Sequence, residues 1–449
     1  MLKYLVAACA VIGLLSSTRA QQFELEYLAT LPEPVANNAM AVAELNGNTY
    51  LYSFSGIDTS KLFSGIHLNS YCYDVTNGQW LTVPPVPQSM GLVAAGATYH
   101  QGIVYFVGGY SVFANGSETS SEKVQRLDVA TNTWLSDAAD IPVPIDDHVQ
   151  ALWRDSLLFI VTGWSNTGNV PDVQIYDPAN DQWLTGTSVP ANNAFRSFGP
   201  SGTIIGDTIY YLGGASMGAA FPAQNQLRKG YIDPASPSSI TWSFEIPNPN
   251  ATCYRCGTFA AYTGGGTPTA VWVGGSDVTY NYNGIAYNGS GGVSPRDSLW
   301  IYDPATGKIT ASTFNNPNNI TLPMDLRHMT SAGQSNGENE FYIMGGMVAN
   351  QTVSDSVLRL TARPVRVAEV PFTLHAFKVY PNPATDEFRI VRKRSASSLL
   401  SIRLINLKGQ VVRTFKAQEN YSSAGLPEGL YFIEIETATD RFYQKLLHQ

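Results

Sequence analysis

The stretch IYDPANDQW, residues 175–183, decides the fold because the chain repeats its plan. A large apolar residue precedes an Asp, a polar turn follows, and a Trp closes the phrase. The same order ends at Trp80 (YDVTNGQW), Trp134 (LDVATNTW) and Trp242 (YIDPASPSSITW), while YDPATGKI ends at Ile309. Before each phrase stands a short apolar run closed by glycine. These runs are TYLYSFSG at Gly56, IVYFVGG at Gly109, LLFIVTG at Gly163, TIYYLGG at Gly214, AVWVGG at Gly275 and EFYIMGG at Gly346. Successive glycines lie 53, 54, 51, 61 and 71 residues apart. Self-similarity at this period marks an array of small β units that cannot bury their own faces and must stack.

Each unit offers four short strands rich in Val, Ile, Tyr and Phe, bounded by Gly, Asn and Pro. The turns between the third and fourth strands read TNG, ATN, PAND and PATG, the chemistry of tight hairpins. Double glycine, variable loop, aromatic–Asp and then Trp is also the order in which residues 23–366 resemble the kelch family. Ser55-Gly56, Thr162-Gly163 and Ile309 depart from that pattern. The resemblance implies a β-propeller. Six glycine phrases imply six blades, and the last lacks its Trp strand. The stretch FELEYLATLPEP near the start of the chain supplies an orphan strand, so an N-terminal strand is expected to close the ring and remove the free edges. The fold expected is all-β: a six-bladed kelch-type β-propeller closed by an N-terminal strand, followed by a small C-terminal β-sandwich.

Composition agrees. Of 449 residues only 14% are charged, and Gly (39) and Tyr (24) are plentiful, which suits an all-β exported protein. The opening MLKYLVAACAVIGLLSSTRAQQ reads as a signal peptide over residues 1–20, cut between Ala20 and Gln21. No later apolar run reaches the roughly 20 residues of a membrane helix, so no transmembrane segment is expected in the mature chain. Export leaves Cys72, Cys253 and Cys256. The lone Cys253-Tyr-Arg-Cys256 has no partner pair for zinc and reads as a local disulfide or buried thiols.

After residue 366 the pattern changes. A linker over 367–375 precedes alternating strands broken by Asn-Pro, Lys-Gly and Glu-Gly turns. YPNP at Tyr380–Pro383, LKGQVV at Leu407–Val412 and LPEGLYFIEI at Leu426–Ile435 are similar to the C-terminal sorting domain of type IX secretion substrates, over residues 376–449. The resemblance implies a Bacteroidetes-type bacterium, recognition by the secretion machinery, and delivery to the outer-membrane surface or the medium. Residues from 374 onward carry a net charge of +4, whereas 21–373 carry −14. An acidic body will not track phosphate backbones, which excludes nucleic acid as a partner class.

Function is expected where the fourth-to-first and second-to-third connections open on one face. Counting back 18 residues from each closing glycine brings Asn38 and Arg196 to the channel mouth, and the same region supplies Asp146, Asp147, His148, Arg255, Arg327 and His328. Arginine's planar fork suits a carboxylate or sulfate, and a His beside a carboxylate could act as a base. A structural role in stitching loop carbonyls between blades is the competing reading. The long loops 111–123, 215–229 and 276–297 share this face, and the last sets Tyr280, Tyr282 and Tyr287 among Asn and Gly, a mixture suited to stacking on sugars. No hydrolase, nucleotide-loop or calcium-loop phrase is present, and neither a metal nor a cofactor is expected. Some kelch proteins are enzymes, among them six-bladed sialate mutarotases and copper oxidases. The expected function is therefore a secreted or cell-surface binding module for a glycan or protein partner. The alternative is a carbohydrate-active enzyme such as a sialate-type mutarotase or epimerase at the channel mouth.

Overall fold

The computed structural model describes residues 21–261, 268–316, 318–326, 331–335, 338–364, 377–392, 399–407, 409–437 and 441–449. The expected signal peptide, including Ala20, and the expected linker lie outside these residues, as do Arg327 and His328. The chain divides into two compact units, Met1–Val365 and Arg366–Gln449.

The first unit contains six four-stranded antiparallel sheets. The third is typical, with strands Val149–Trp153, Leu157–Val161, Val173–Asp177 and Gln182–Thr185 in chain order. Its second strand, LLFIV, shows why the sequence alternates so little. Leu158 and Ile160 pack with Tyr105 and Val107 of the preceding sheet, while Phe159 and Val161 pack with Ile209 and Tyr211 of the following one. Both faces are core, so both phases of the period-2 pattern are apolar. The innermost strands neighbour one another in order: Ala39–Leu45, Gly96–His100, Val149–Trp153, Ser201–Ile205 and Gly257–Ala261. The sixth sheet touches both ends of this series, through Glu338–Met344 and Ser331–Ser335. Its outermost strand is the N-terminal Gln21–Thr30, antiparallel to Ser356–Pro364.

The repeated phrases now have physical causes. The Asp of each aromatic–Asp pair caps its hairpin, accepting backbone N–H bonds from Asn77 (to Asp74, 2.9 Å), Thr131 (to Asp128, 3.0 Å) and Ala179 (to Asp177, 3.0 Å). The Trp indoles of three fourth strands reach back to the preceding connection. Trp134 donates to the Pro84 carbonyl at 2.9 Å, Trp183 to Ala139 at 2.8 Å and Trp242 to Thr187 at 2.8 Å. A large apolar ring and one polar handle thus join adjacent sheets.

The paired glycines bend the chain out of the second strand with two successive positive φ angles, 71° and 77° at Gly213 and Gly214. A Cβ on Gly213 would lie 2.0 Å from the Cys253 carbonyl oxygen. Gly213→Ala is therefore expected to cost about 2–4 kcal/mol, combining overpacking with a left-handed backbone. The shift in urea midpoint measures it, and an unchanged midpoint would contradict the reading. Where the sequence departs from Gly-Gly, hydroxyls compensate. Ser55 Oγ donates to the Leu92 carbonyl (2.8 Å) and Thr162 Oγ1 to the Val170 carbonyl (2.9 Å).

The second unit has a three-stranded sheet, of Phe377–Tyr380, Glu387–Arg392 and Tyr421–Ser422, and a four-stranded sheet, of Leu399–Ile405, Val411–Lys416, Gly429–Thr437 and Arg441–His448. One core joins them, including Phe388, Ile402, Leu404, Tyr421 and Ile433. Asn382 of YPNP holds the last strand, donating to the Lys445 carbonyl (2.7 Å) and accepting from the Leu447 N–H (2.9 Å).

Candidate functional site

Just before five of the innermost strands, and at the matching point of the sixth sheet, one residue turns left-handed or takes positive φ. These are Asn37, Ala94, Asp147, Gly199, Arg255 and Asp325, with φ between 49° and 66°. Each follows a residue bridged to the one directly after a closing glycine: Ala36, Val93, Asp146, Phe198, Tyr254 and Met324. Backbone bonds link one sheet's residue to the next, from Ala94 N–H to Asn37 O, Asp147 to Ala94, Gly199 to Asp147, Arg255 to Gly199, and Leu326 to Arg255. These residues sit 15 to 21 positions before their glycines, because the first hairpin varies in length from sheet to sheet. A fixed count of 18 therefore misaligns them. The equivalent position is Gly199 and not Arg196, and Asn37 and not Asn38.

Arg255 is the centre of this arrangement. It is 1% exposed, and its guanidinium grips Asp147 twice (Nη2–Oδ2 2.7 Å, Nε–Oδ1 3.2 Å) and reaches Asp325 Oδ1 at 3.2 Å. The rings of Tyr254 and Tyr280 flank it, 5.1 and 5.4 Å from Cζ. Burial opposes its charge, but Asp147, then Tyr254 and Asp325, outweigh that and raise its pKa. Arg255 and Asp147 thus hold each other. Neither is presented to an anionic ligand or freed to act as a base.

The other expected residues scatter. His148 is buried, with Nε2 against Gln150 Oε1 at 3.0 Å, and Gln150 in turn donates to Thr98 Oγ1 at 2.9 Å. Asn38 is buried and donates to Ser53 Oγ and to the Met344 carbonyl. Arg196 is half-buried outside the cavity described below. The stitching of loop carbonyls falls to Arg228, which the sequence reading passed over. Wholly buried, Arg228 donates to the carbonyls of Ala194 (2.7 Å) and Gly213 (2.6 Å), and burial pulls its pKa down to about 10. Tyr280 is buried edge-to-face on Tyr254, Tyr287 packs on Phe221 at 5.0 Å, and Tyr282 is half-buried against the same apolar cluster. Tyr280 is thus wholly enclosed, while Tyr282 and Tyr287 keep part of their surface exposed. Cys253 and Cys256 are joined in a disulfide, and Cys72 is a buried free thiol.

The connections between second and third strands fold inward over this end and build an apolar cluster of their own. Within it is a cavity of about 100 Å3, lined by Tyr110, Trp164, Phe198, Phe221, Tyr287 and Asn281 and, on the charged side, Glu118, Asp146, Asp147 and Arg255. Four of its rings interlock edge-to-face. Trp164 lies 5.4 Å from Phe198 and 5.8 Å from Phe221, and Phe198 lies 5.5 Å from Phe221. Phe221 holds φ at 46°, a strained value for a bulky residue. Asp146 is 2% exposed and accepts the Ser120 hydroxyl at 2.6 Å. Burial, then the Asp147 carboxylate, pushes its pKa well above the usual range, and partial burial raises that of Glu118 at the rim. Trp164, Phe198, Phe221 and Glu118 were not singled out from sequence, whereas Asp146 was expected at the mouth beside Asp147. The signal available was position: Trp164 directly follows a closing glycine, and Phe198 directly precedes Gly199. Among the described residues no group of three His, Cys, Asp or Glu could hold a metal ion, and no helix is long and apolar enough to cross a membrane.

Comparison with known proteins fits these two units. Residues 378–449 match the family model of the secretion system C-terminal sorting domain. The chain is 25% identical over 191 residues to kelch-like protein terF of Aspergillus terreus, covering 41% of this chain and 40% of that protein. It is 24% identical over 307 residues to beta-scruin of Limulus polyphemus, covering 67% and 30% respectively. The chain thus spans two fifths or less of the length of these relatives. The solved structure of YjhT superposes with a TM-score of 0.54 at 15% identity, covering 74% of this chain and 96% of that one. The chain is a kelch-repeat β-propeller protein with a C-terminal type IX sorting domain.

Proposed function

We propose that this kelch-repeat protein, addressed to type IX secretion by its tail, is an exported binding module whose loop-bearing end holds a glycan or protein partner. The observation that carries the reading is the aromatic-walled cavity built by inward-folded loops at that end. Its volume of about 100 Å3 suits a head group of a larger partner. Pockets that bury a whole small molecule measure about 300–1,000 Å3. The enzymatic alternative is weakened because Arg255 is neutralised by Asp147 and Asp325, and His148 faces Gln150. The architecture we propose is six blades closed by Gln21–Thr30. In its favour are six four-stranded sheets in cyclic contact. The domain limits proposed are 1–20 for the signal peptide, 21–366 for the propeller, 367–375 for the linker and 376–449 for the sorting domain.

The test is binding of the intact chain to arrayed glycans and to purified surface proteins, against a Trp164→Leu, Phe221→Ala variant. Saturable binding lost in the variant supports the module at this end, and binding indifferent to both changes refutes that placement. A chain truncated after Thr373 is expected to accumulate in the periplasm. Normal surface delivery of the truncated chain, followed by fractionation, would remove the sorting role.

A further inference from the structure

The cavity's charge runs opposite to what three converging arginines would have made. Around Arg255, the one guanidinium lining the cavity among the described residues, stand four carboxylates: Glu118, Asp146, Asp147 and Asp325. Two of these are bound to it. Asp146 makes no ion pair among the described residues, although it is 2% exposed, and Glu118 makes none at the rim. A buried carboxyl without a cation holds its proton until a cation arrives to stabilise the ionised form. The same cavity is lined by the rings of Tyr110, Trp164, Phe198, Phe221 and Tyr287. Aromatic faces attract cations through their quadrupoles, most strongly when desolvated. An anion here would meet two carboxylates that make no ion pair among the described residues.

Resting on the binding-module reading, we propose that this cavity seats a single ammonium group, protonated or quaternary, with Asp146 as its counter-ion, Glu118 at the rim and the aromatic rings as walls. The volume of about 100 Å3 suits a group of this size. One chemistry covers two sources, a lysine side chain of a protein partner and a choline-type head group.

The experiment is calorimetric titration of the intact chain with tetramethylammonium, Nα-acetyl-lysine methylamide and phosphocholine. Controls are 3,3-dimethylbutanol, the neutral shape analogue of choline, and glucuronate. Tetramethylammonium is expected to bind saturably, at least tenfold tighter than the neutral analogue, and glucuronate is expected not to bind. The lysine and phosphocholine arms tell the two sources apart. Asp146→Asn and Trp164→Leu should each weaken tetramethylammonium at least tenfold. Because this probe has no titrating proton, its pH dependence belongs to the protein. The groups facing Asp146 are Asp147, Glu118, Arg255 and Ser120, and Arg255 stays charged throughout. Cation binding favours ionised carboxylates, so affinity should rise with pH through the raised range of Asp146 and Glu118, with proton release.

A second readout guards against simple misfolding. Asp146 titrates above its unfolded value, so the folded state binds the extra proton and wild-type stability falls as pH rises through that window. Asp146→Asn removes the burden while keeping an acceptor for Ser120, so its melting temperature at neutral pH should rise. A variant that is more stable yet blind to ammonium marks a site kept at a cost to folding. Equal binding of the neutral analogue, preference for glucuronate, or no saturable heat from any ammonium probe overturns the proposal. Loop-dependent partner binding that persists in those cases would leave the module reading standing, and its loss as well would take both down.

Discussion

Arg255→Met is expected to lower folding stability by about 3–5 kcal/mol, the usual consequence of removing one member of a buried charge cluster. Two buried carboxylates, Asp147 at 2.7 Å and Asp325 at 3.2 Å, would be left without their cation. An arginine kept free for an exposed ligand behaves differently, since its loss shifts stability by no more than about 0.5 kcal/mol. The size of the effect therefore decides which role Arg255 plays. The triple variant Arg255→Met, Asp147→Asn, Asp325→Asn sharpens the test. It removes all three charges together, keeps Asn at two left-handed backbone positions that tolerate it, and should recover most of the loss. Urea midpoints of the single and triple variants measure both. A single variant as stable as wild type would return Arg255 to the list of ligand residues.

How much of this was legible in the sequence follows from which positions the backbone restricts. Gly214 and its equivalents must turn left-handed beside a neighbouring carbonyl, Asp177 must cap a hairpin, and Trp183 must reach the preceding connection. Each demand selects a residue type, so the phrase repeats and can be read. The residues that meet at the loop-bearing end share a positive φ, yet Asn, Ala, Asp, Gly and Arg all fill it, so no one residue type marks the place. Asn37, Ala94, Asp147, Gly199, Arg255 and Asp325 occupy equivalent places with six different surroundings. First hairpins of unequal length then slide them against the glycine register, which is why counting pointed to Arg196. The pocket hid for another reason. Phe198 and Trp164 look like core residues in the sequence, and they are core to one another. What makes them a wall is the inward fold of loops 111–123, 215–229 and 276–297. Their sequences announced length and polarity and gave no direction.

Deleting Gln21–Thr30 is expected to abolish the folded first unit, an effect larger than that of any single substitution above. Phe23 and Leu25 are wholly buried in a core shared with Phe259, Val271 and Val273 of the fifth sheet and Phe341, Leu358 and Leu360 of the sixth. Exposing two such side chains costs about 1.5–3 kcal/mol each. The strand also makes a nine-pair ladder with Ser356–Pro364, and its backbone bonds Asn315 beyond the fifth sheet, from Leu25 N–H at 3.0 Å and to Phe23 O at 2.7 Å. Arg359 bridges Glu26 and Glu340 across it. Against a typical total stability of about 5–15 kcal/mol, losing these together leaves little margin. A free sheet edge would also remain, open to pairing with another chain. The partner residues are some 340 positions away in sequence, so this pairing carries the largest loop entropy in the unit and should come after the intervening sheets have formed. That order allows a test by complementation. A chain starting at Leu31 should lack a cooperative melt and associate through its open edge, and a synthetic peptide of residues 21–31 added in trans should restore the melt. A truncated chain that melts as wild type does, without the peptide, would show that the N-terminal strand is an ornament on a unit already complete.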